Sequence, residues 1–253
     1  MVRLGQNLLT DTNLLEAIVR EAAPARDDVV LEVGPGPGAL TGRLAARVAT
    51  VHAIELDRRF ESQLQALAES HSNLRVHWGD AMRLELGELE PHPTAVVSNL
   101  PYSIATPMIL RTIVALPQVT AWTVMVQREI AERFAAKPGS RAYGAPSVLV
   151  QLACQVHIRR TVDPAVFAPR PRVQSALLRL DRLRPAASER VAAVVRAGFA
   201  HRRKALARSL ELAGMARADE ARTALAAMGM AERSRAEALA PCEFALLAER
   251  LGG

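Results

Sequence analysis

Apolar residues in the first half of the chain come in short continuous runs separated by stretches of helical period. Residues 29–33 (VVLEV), 51–56 (VHAIEL), 73–78 (NLRVHW), 94–99 (TAVVSN) and 121–127 (AWTVMVQ) are such runs. Their length and lack of a polar face predict strands covered on both sides. Before the first of them, Leu14, Leu15, Ile18 and Val19 fall on one helical face behind the capping-type residues Thr10 and Asp11. "ALTGRLAARVA" and "FESQLQALAES" return to the same period after the first and second strands. Strands alternating with helices predict βαβ units and a mostly parallel sheet. Two late runs, "QLACQVHIRRTV" and "SALLRLDRL", have only a proline-rich loop between them and are expected to pair antiparallel. After Pro185 every segment is helical, with turn signals at Gly214 and around Pro241. The expected architecture is an α/β, Rossmann-type, mostly parallel sheet with an antiparallel last strand over 1–181, followed by a small all-helical domain over 188–253.

A chain of 253 residues, half hydrophobic and 23% charged, is ordinary for a globular protein with a sizeable core. Its charge is unevenly placed. Thirteen of its basic residues but only three acids lie between His157 and Arg208, a net of +10 in a chain of net +6. Such concentration points to a polyanion-facing surface, or to solvated helix faces. Cys154 and Cys242 stand alone without a CxxC, and the six histidines form no HxH or HxxxH pair, so neither disulfides nor a metal site is expected. No apolar run reaches membrane-spanning length and no signal region opens the chain; a cytoplasmic protein with no membrane partner is expected.

Candidate chemistry collects at the strand ends. Gly34, Gly36 and Gly38 in "LEVGPGPGALT" separate the first long strand from a helix, where a ligand can approach the backbone closely. The spacing is neither GxGxxG nor a P-loop. The next strand ends in Glu55, twenty-one positions past Gly34, where such folds place the acid that takes ribose hydroxyls. The third is followed by Asp80, placed to accept from an adenine amino group. The fourth ends in Asn99-Leu100-Pro101-Tyr102, a stiff hook in which Pro101 fixes its own φ and biases Leu100 away from helix. Each acid alone reads as a loop residue or cap. Four consecutive strand ends carrying nucleoside chemistry read together as one site.

These stretches, with "LGQNLL", "AIELD", "GDAM", "VQREIAERFAAKPGSRAYG", "VFAPRPRVQSALLRL" and "FAHRRKALARSL", resemble the KsgA-type ribosomal RNA adenine dimethyltransferases and, more loosely, the Erm methylases. The family's usual QNFL and NLPYNIS stand here as QNLL and NLPYSIA. The resemblance implies S-adenosylmethionine as methyl donor, no metal, and two methylations on N6 of each target adenine. It implies that Asn7 and Leu9 contribute to the donor pocket, that Gly34 lies beside the donor's amino-acid portion with Gly36 in the same turn, that Glu55 holds the ribose and Asp80 the adenine, and that Asn99 closes the site. The Asn99 side-chain oxygen and the Leu100 carbonyl are suited to accept the N–H bonds of an adenine amine, with Tyr102 stacked on its ring. Phe167 is a candidate second stacking face, or a core residue beside a proline turn. Arg159, Arg160, Arg170, Arg172, Arg202, Arg203 and Lys204 are expected to meet RNA phosphates. The expected partner is ribosomal RNA in a small-subunit precursor, bound by a monomer. An Erm-like action on large-subunit RNA and an assembly-checkpoint role with secondary methylation are the alternatives.

Overall fold

The computed structural model describes residues 8–9 and 11–252. Thr10 and Asn7 lie outside them. In chain order the elements are β1 (Leu8–Leu9), α1 (Thr12–Ala22), β2 (Val29–Val33), α2 (Ala39–Ala45), β3 (Thr50–Glu55), α3 (Glu61–Ser70), β4 (Leu74–Trp78), β5 (Ala95–Asn99), α4 (Ala105–Ala115) and β6 (Ala121–Gln127). They continue as α5 (Arg128–Phe134), α6 (Ala145–Ala153), β7 (Cys154–Val162), β8 (Phe167–Ala168), β9 (Ser175–Arg182), α7 (Glu189–Ala200), α8 (Leu206–Leu212), α9 (Ala218–Ala226) and α10 (Pro241–Arg250).

Seven strands form one sheet in the order β4-β3-β2-β5-β6-β9-β7. β2, β3, β4, β5 and β6 run parallel, and β9 runs antiparallel to β6. The continuous apolar runs are buried along their whole length in β2 and β3, as strands covered on both faces require. Asp11 caps α1 by accepting the Leu14 N–H at 2.7 Å, and Leu14, Leu15, Ile18 and Val19 are all buried. The strand order reverses between β2 and β5, the place where open α/β sheets bind ligands. Here the ladder is paired only at Val30–Ala95 and Leu31–Val96. Further along, the Ser98 hydroxyl accepts the Val33 N–H at 3.3 Å and donates to the Val33 carbonyl at 2.6 Å. The strands therefore part toward their carboxyl ends without leaving those backbone groups unpaired.

The chain divides into two compact units, 1–131 with 156–182 and 132–155 with 183–253. From the sequence one boundary is expected, between 181 and 188; the division into compact units falls after 182 and also groups residues 132–155 with the second unit. The cause is α6. The pattern from Gln151 onward predicts a strand, but Ala145–Ala153 is helical, with Pro146 in its first turn and the Gly144 N–H bound by Ser147 Oγ at 3.0 Å. An apolar run such as VLVQLA has no period that separates buried helix from buried strand. Val148 and Leu152 pack in the second unit's core with Val194, Leu206, Leu225 and Phe244. Gln151 donates to the carbonyls of Phe134 and Ala136.

No helix among the described residues is long and apolar enough to cross a membrane, and no group of three metal-ligating side chains occurs among them. A histidine pair that no sequence spacing announces does form. His52 in β3, fully buried, donates from Nε2 to the Pro91 carbonyl at 2.8 Å, so its Nδ1 accepts from His77 Nε2 at 2.9 Å. Burial lowers the pKa of both, and the nearby Arg75 charge adds to it, although the hydrogen bond to the Pro91 carbonyl, and more weakly Glu90, oppose this at His52. At neutral pH both rings are uncharged in the folded chain, and as pH falls the unfolded chain takes up protons first, from the ordinary imidazole value of 6.5. Stability conferred by the pair is complete above that value and is lost as pH falls from it toward the depressed folded-state values. Urea unfolding midpoints should therefore drop between pH 7.5 and 5.5, and the drop should shrink in His52→Gln; an unchanged pH slope would contradict the pairing.

Candidate active site

Where β2 and β5 part, one cavity of about 230 Å³ opens within the first unit. Its wall joins the turn after β2, the end of β3, the loop after β4 and the hook after β5. The sequence-derived residues Leu9, Gly34, Gly36, Glu55, Asp80, Asn99, Leu100, Pro101 and Tyr102 all line it.

The glycine turn and the hook are fitted to each other. Gly34 has φ +73°, and a Cβ there would stand 3.0 Å from Pro101 Cγ. Any other residue would be strained in its backbone and would push the hook away. Glu55, 3% exposed, is held by backbone. Its Oε2 accepts the Gly36 N–H at 2.9 Å, and its Oε1 accepts those of Leu56 at 2.9 Å and Asp57 at 2.8 Å. A carboxylate has about four acceptor positions. Among the described residues three are taken, and the remaining one lies on Oε2. Asp80 is 40% exposed on its side chain, with Oδ1 accepting the Met82 N–H at 2.8 Å.

Glu32 escapes a reading of strand ends because it sits inside a strand. It is 2% exposed, lines the same cavity, and has an Oε2 with no hydrogen-bond partner among the described residues. Burial, with the Glu55 charge adding to it, pushes its carboxyl up to about 8.

The hook is a turn into α4. Leu100 is buried and donates its N–H to the Met125 carbonyl at 3.1 Å, and the Ile104 N–H closes on the Pro101 carbonyl at 3.1 Å. Tyr102 is half-buried, and its hydroxyl meets Ser175 Oγ at 2.5 Å. Burial raises the phenol's pKa. The sequence suggests a use for the ring alone; the fold also employs the hydroxyl, fixing the ring to the first residue of β9. Tyr102→Phe should lower kcat/KM for RNA about three- to tenfold, the worth of one buried hydrogen bond. Full activity in that variant would show that the bond positions nothing.

Phe167 takes the core alternative. Its ring is 4% exposed, packs in the core with Leu9, Leu14, Leu15 and Val162, and is not part of the cavity wall. The pairing of β1 with β8 sets Phe167 directly opposite Leu9, and the two side chains belong to one core cluster. Trp122 is core, donating to Thr112 Oγ1 at 2.9 Å, but Trp78 is only half-buried beneath the Arg58 guanidinium.

A family model described as ribosomal RNA adenine dimethylase matches residues 2–251. The chain belongs to that family. It is an rRNA adenine dimethyltransferase with an α/β methyltransferase fold. Among curated relatives of this dimethylase, "Ribosomal RNA small subunit methyltransferase A" of Rubrobacter xylanophilus is 41% identical over 251 residues, covering 98% of this chain and 94% of its own. The protein of the same description from Thermobifida fusca is 45% identical, covering 97% and 88%. Among solved structures, a dimethyladenosine transferase from Plasmodium falciparum superposes with a TM-score of 0.79 at 25% identity, covering 95% of each chain. The 23S rRNA methyltransferase ErmE gives 0.71 at 28% identity, over 98% of this chain and 100% of its own.

The dimethylase's basic residues are not equivalent. In the first unit Arg160 and Arg172 are exposed and in no ion pair among the described residues, whereas Arg159 lies 3.5 Å from Glu21 and Arg170 3.8 Å from Asp163. In the second unit Arg203 and Lys204 are likewise exposed and in no ion pair among the described residues, in the turn between α7 and α8. Arg202 is committed to structure. It donates to the Tyr143 carbonyl at 2.7 Å and lies 3.5 Å from Glu237.

Proposed function

We propose that this dimethylase transfers methyl groups from S-adenosylmethionine to N6 of two adjacent adenines near the 3′ end of small-subunit (16S) ribosomal RNA, in a subunit precursor. The observation that carries the reading is the convergence of Glu55, Asp80 and the Asn99 hook on one cavity. The relatives described as small-subunit methyltransferases favour that RNA over the large subunit's.

The residues present suit such a donor. Glu55 keeps one acceptor position for a ribose hydroxyl, and Asp80 can accept from an adenine amino group. The unsatisfied Oε2 of buried Glu32 is an acceptor for an ammonium group, whose positive charge would favour the ionised form of a carboxyl that burial otherwise keeps protonated at neutral pH. The bound donor supplies an electrophilic methyl group on a sulfonium. The chain does the rest by placement. Adenine N6 is a poor nucleophile because its lone pair is delocalised into the ring. The side-chain oxygen of Asn99 and the Leu100 carbonyl accept its N–H bonds, draw the lone pair out of conjugation and aim it. Tyr102, anchored through Ser175, supplies a face for the flipped base. No strong base is needed, since the methylated ammonium is acidic and loses its proton to water.

Purified small and large subunits lacking the modification, incubated with donor and analysed by mass spectrometry, test the proposal. Dimethylation of two adjacent adenines in the small subunit is expected; modification of large-subunit RNA alone would overturn it. For the basic turn, Arg203→Glu with Lys204→Glu should weaken RNA binding, with donor affinity unchanged. The slope of log affinity against log salt should flatten by about 0.7–0.9 for each phosphate that is no longer neutralised. Arg202 is left intact because it holds the fold. An unaltered salt slope would assign the turn to solvent.

A further inference from the structure

We infer that Arg111, a residue outside the cavity wall, is a positioning residue that sets recognition of the donor's base. Asp80 sits in a turn that is closed locally, the N–H groups of Arg83 and Leu84 both bonding to the Asp80 carbonyl at 2.8 and 3.0 Å. One end of this turn is tied to the sheet, the Gly79 N–H donating to the Glu55 carbonyl at 2.9 Å. The other end is gripped by a side chain from α4. Arg111 on α4 donates from Nη1 to the Ala81 carbonyl and from Nη2 to the Leu84 carbonyl, the latter at 2.6 Å. A guanidinium is the group suited to this, since its planar fork fixes two acceptors at once.

The helix that carries Arg111 begins directly after the hook. The Ile104 N–H bonds to Pro101, and α4 runs from Ala105. The turn that bears Asp80 is thus fastened to the same rigid rod that emerges from the Asn99-Leu100-Pro101-Tyr102 segment. Ala81, one of the two anchored residues, itself lines the cavity and is 5% exposed. Arg111 fixes how far Asp80 stands from the hook, and therefore how well its carboxylate meets an amino group on a bound purine. The inference rests on the reading of Asp80 as the acceptor for the donor's adenine amine.

The test compares S-adenosylhomocysteine with S-inosylhomocysteine, in which the base's amino group is replaced by a carbonyl, by calorimetry on the full chain. The wild type should prefer the adenosyl compound. Arg111→Met, which keeps length but removes both donors, should weaken the adenosyl compound about tenfold and leave the inosyl compound within about twofold, collapsing the preference. Arg111→Lys should restore part of it, since an ammonium can hold one carbonyl. Equal weakening of both compounds, with a lowered melting temperature, would mean that Arg111 only supports the fold and would overturn the inference, as would an unchanged preference. Asp80→Asn separates the two layers. If it keeps the wild-type preference, the assignment of Asp80 has failed; if it loses the preference while Arg111→Met keeps it, the coupling through Arg111 has failed.

Discussion

Replacing Asn99 by Ala should cut single-turnover methyl transfer about 100- to 1,000-fold while leaving donor affinity within about threefold. The reason is the residue's position. Asn99 is the last residue of β5, paired in register with Met125 of β6, and the next N–H bonds to that same Met125. A side chain at that point is aimed by the sheet rather than by a loop, so its oxygen is placed before substrate arrives. Removing it deletes an acceptor that matters most when N6 becomes pyramidal, and so affects the reacting state more than binding. Melting temperature, measured beside activity, separates this from misfolding. A stable and fully active Asn99→Ala enzyme would sink the mechanism.

Glu55→Gln should weaken S-adenosylhomocysteine binding by tenfold or more, about 1.5–3 kcal/mol for a charge-assisted hydrogen bond to a ligand hydroxyl. The structure adds a second reason. Both carboxylate oxygens already accept backbone N–H groups from Gly36, Leu56 and Asp57. An amide must turn its NH2 toward one of these donors, breaking either the link to the glycine turn or the turn after β3. The variant should therefore melt lower as well as bind more weakly, and Glu55→Asp, which keeps the charge but shortens the reach, should fall between. Unchanged affinity in calorimetry would remove Glu55 from the donor site.

Much of this is legible in the sequence, for a physical reason. Parallel strands covered on both faces must be continuous apolar runs, so β2, β3, β5 and β6 stand out. A residue placed at a strand's carboxyl end is read directly from where the run stops, which is how Glu55, Asp80 and Asn99 are found. Features that depend on two distant segments meeting are not legible. Ser175 lies 73 positions from Tyr102, and nothing local to either marks their hydrogen bond. His52 and His77 are 25 positions apart and meet only because β3 and β4 are neighbours. Phe167 reads from the sequence as either a stacking face or a core residue, and only the meeting of distant segments, with Leu14 and Leu15 of α1 in the same cluster, places it in the core. Arg111 is one arginine among thirty, without a local sign that it grips a turn 27 to 30 positions upstream. Glu32 is hidden by its position within VVLEV, where a charge is least expected.

The assignment of residues 132–155 to the second unit bears on how this polypeptide could be dissected. That unit is assembled from two separated stretches, and Tyr143 of the earlier one donates its hydroxyl to the Leu239 carbonyl of the later one at 2.9 Å. A cut near 182 would not release the helical portion cleanly. It would strip Tyr143, Val148 and Leu152 of their apolar surroundings and leave α6 as an exposed, sticky excursion on the remaining fragment. Gene fusions, deletions and fragment-exchange experiments on this chain therefore need junctions near 131, 156 and 182 that are moved together.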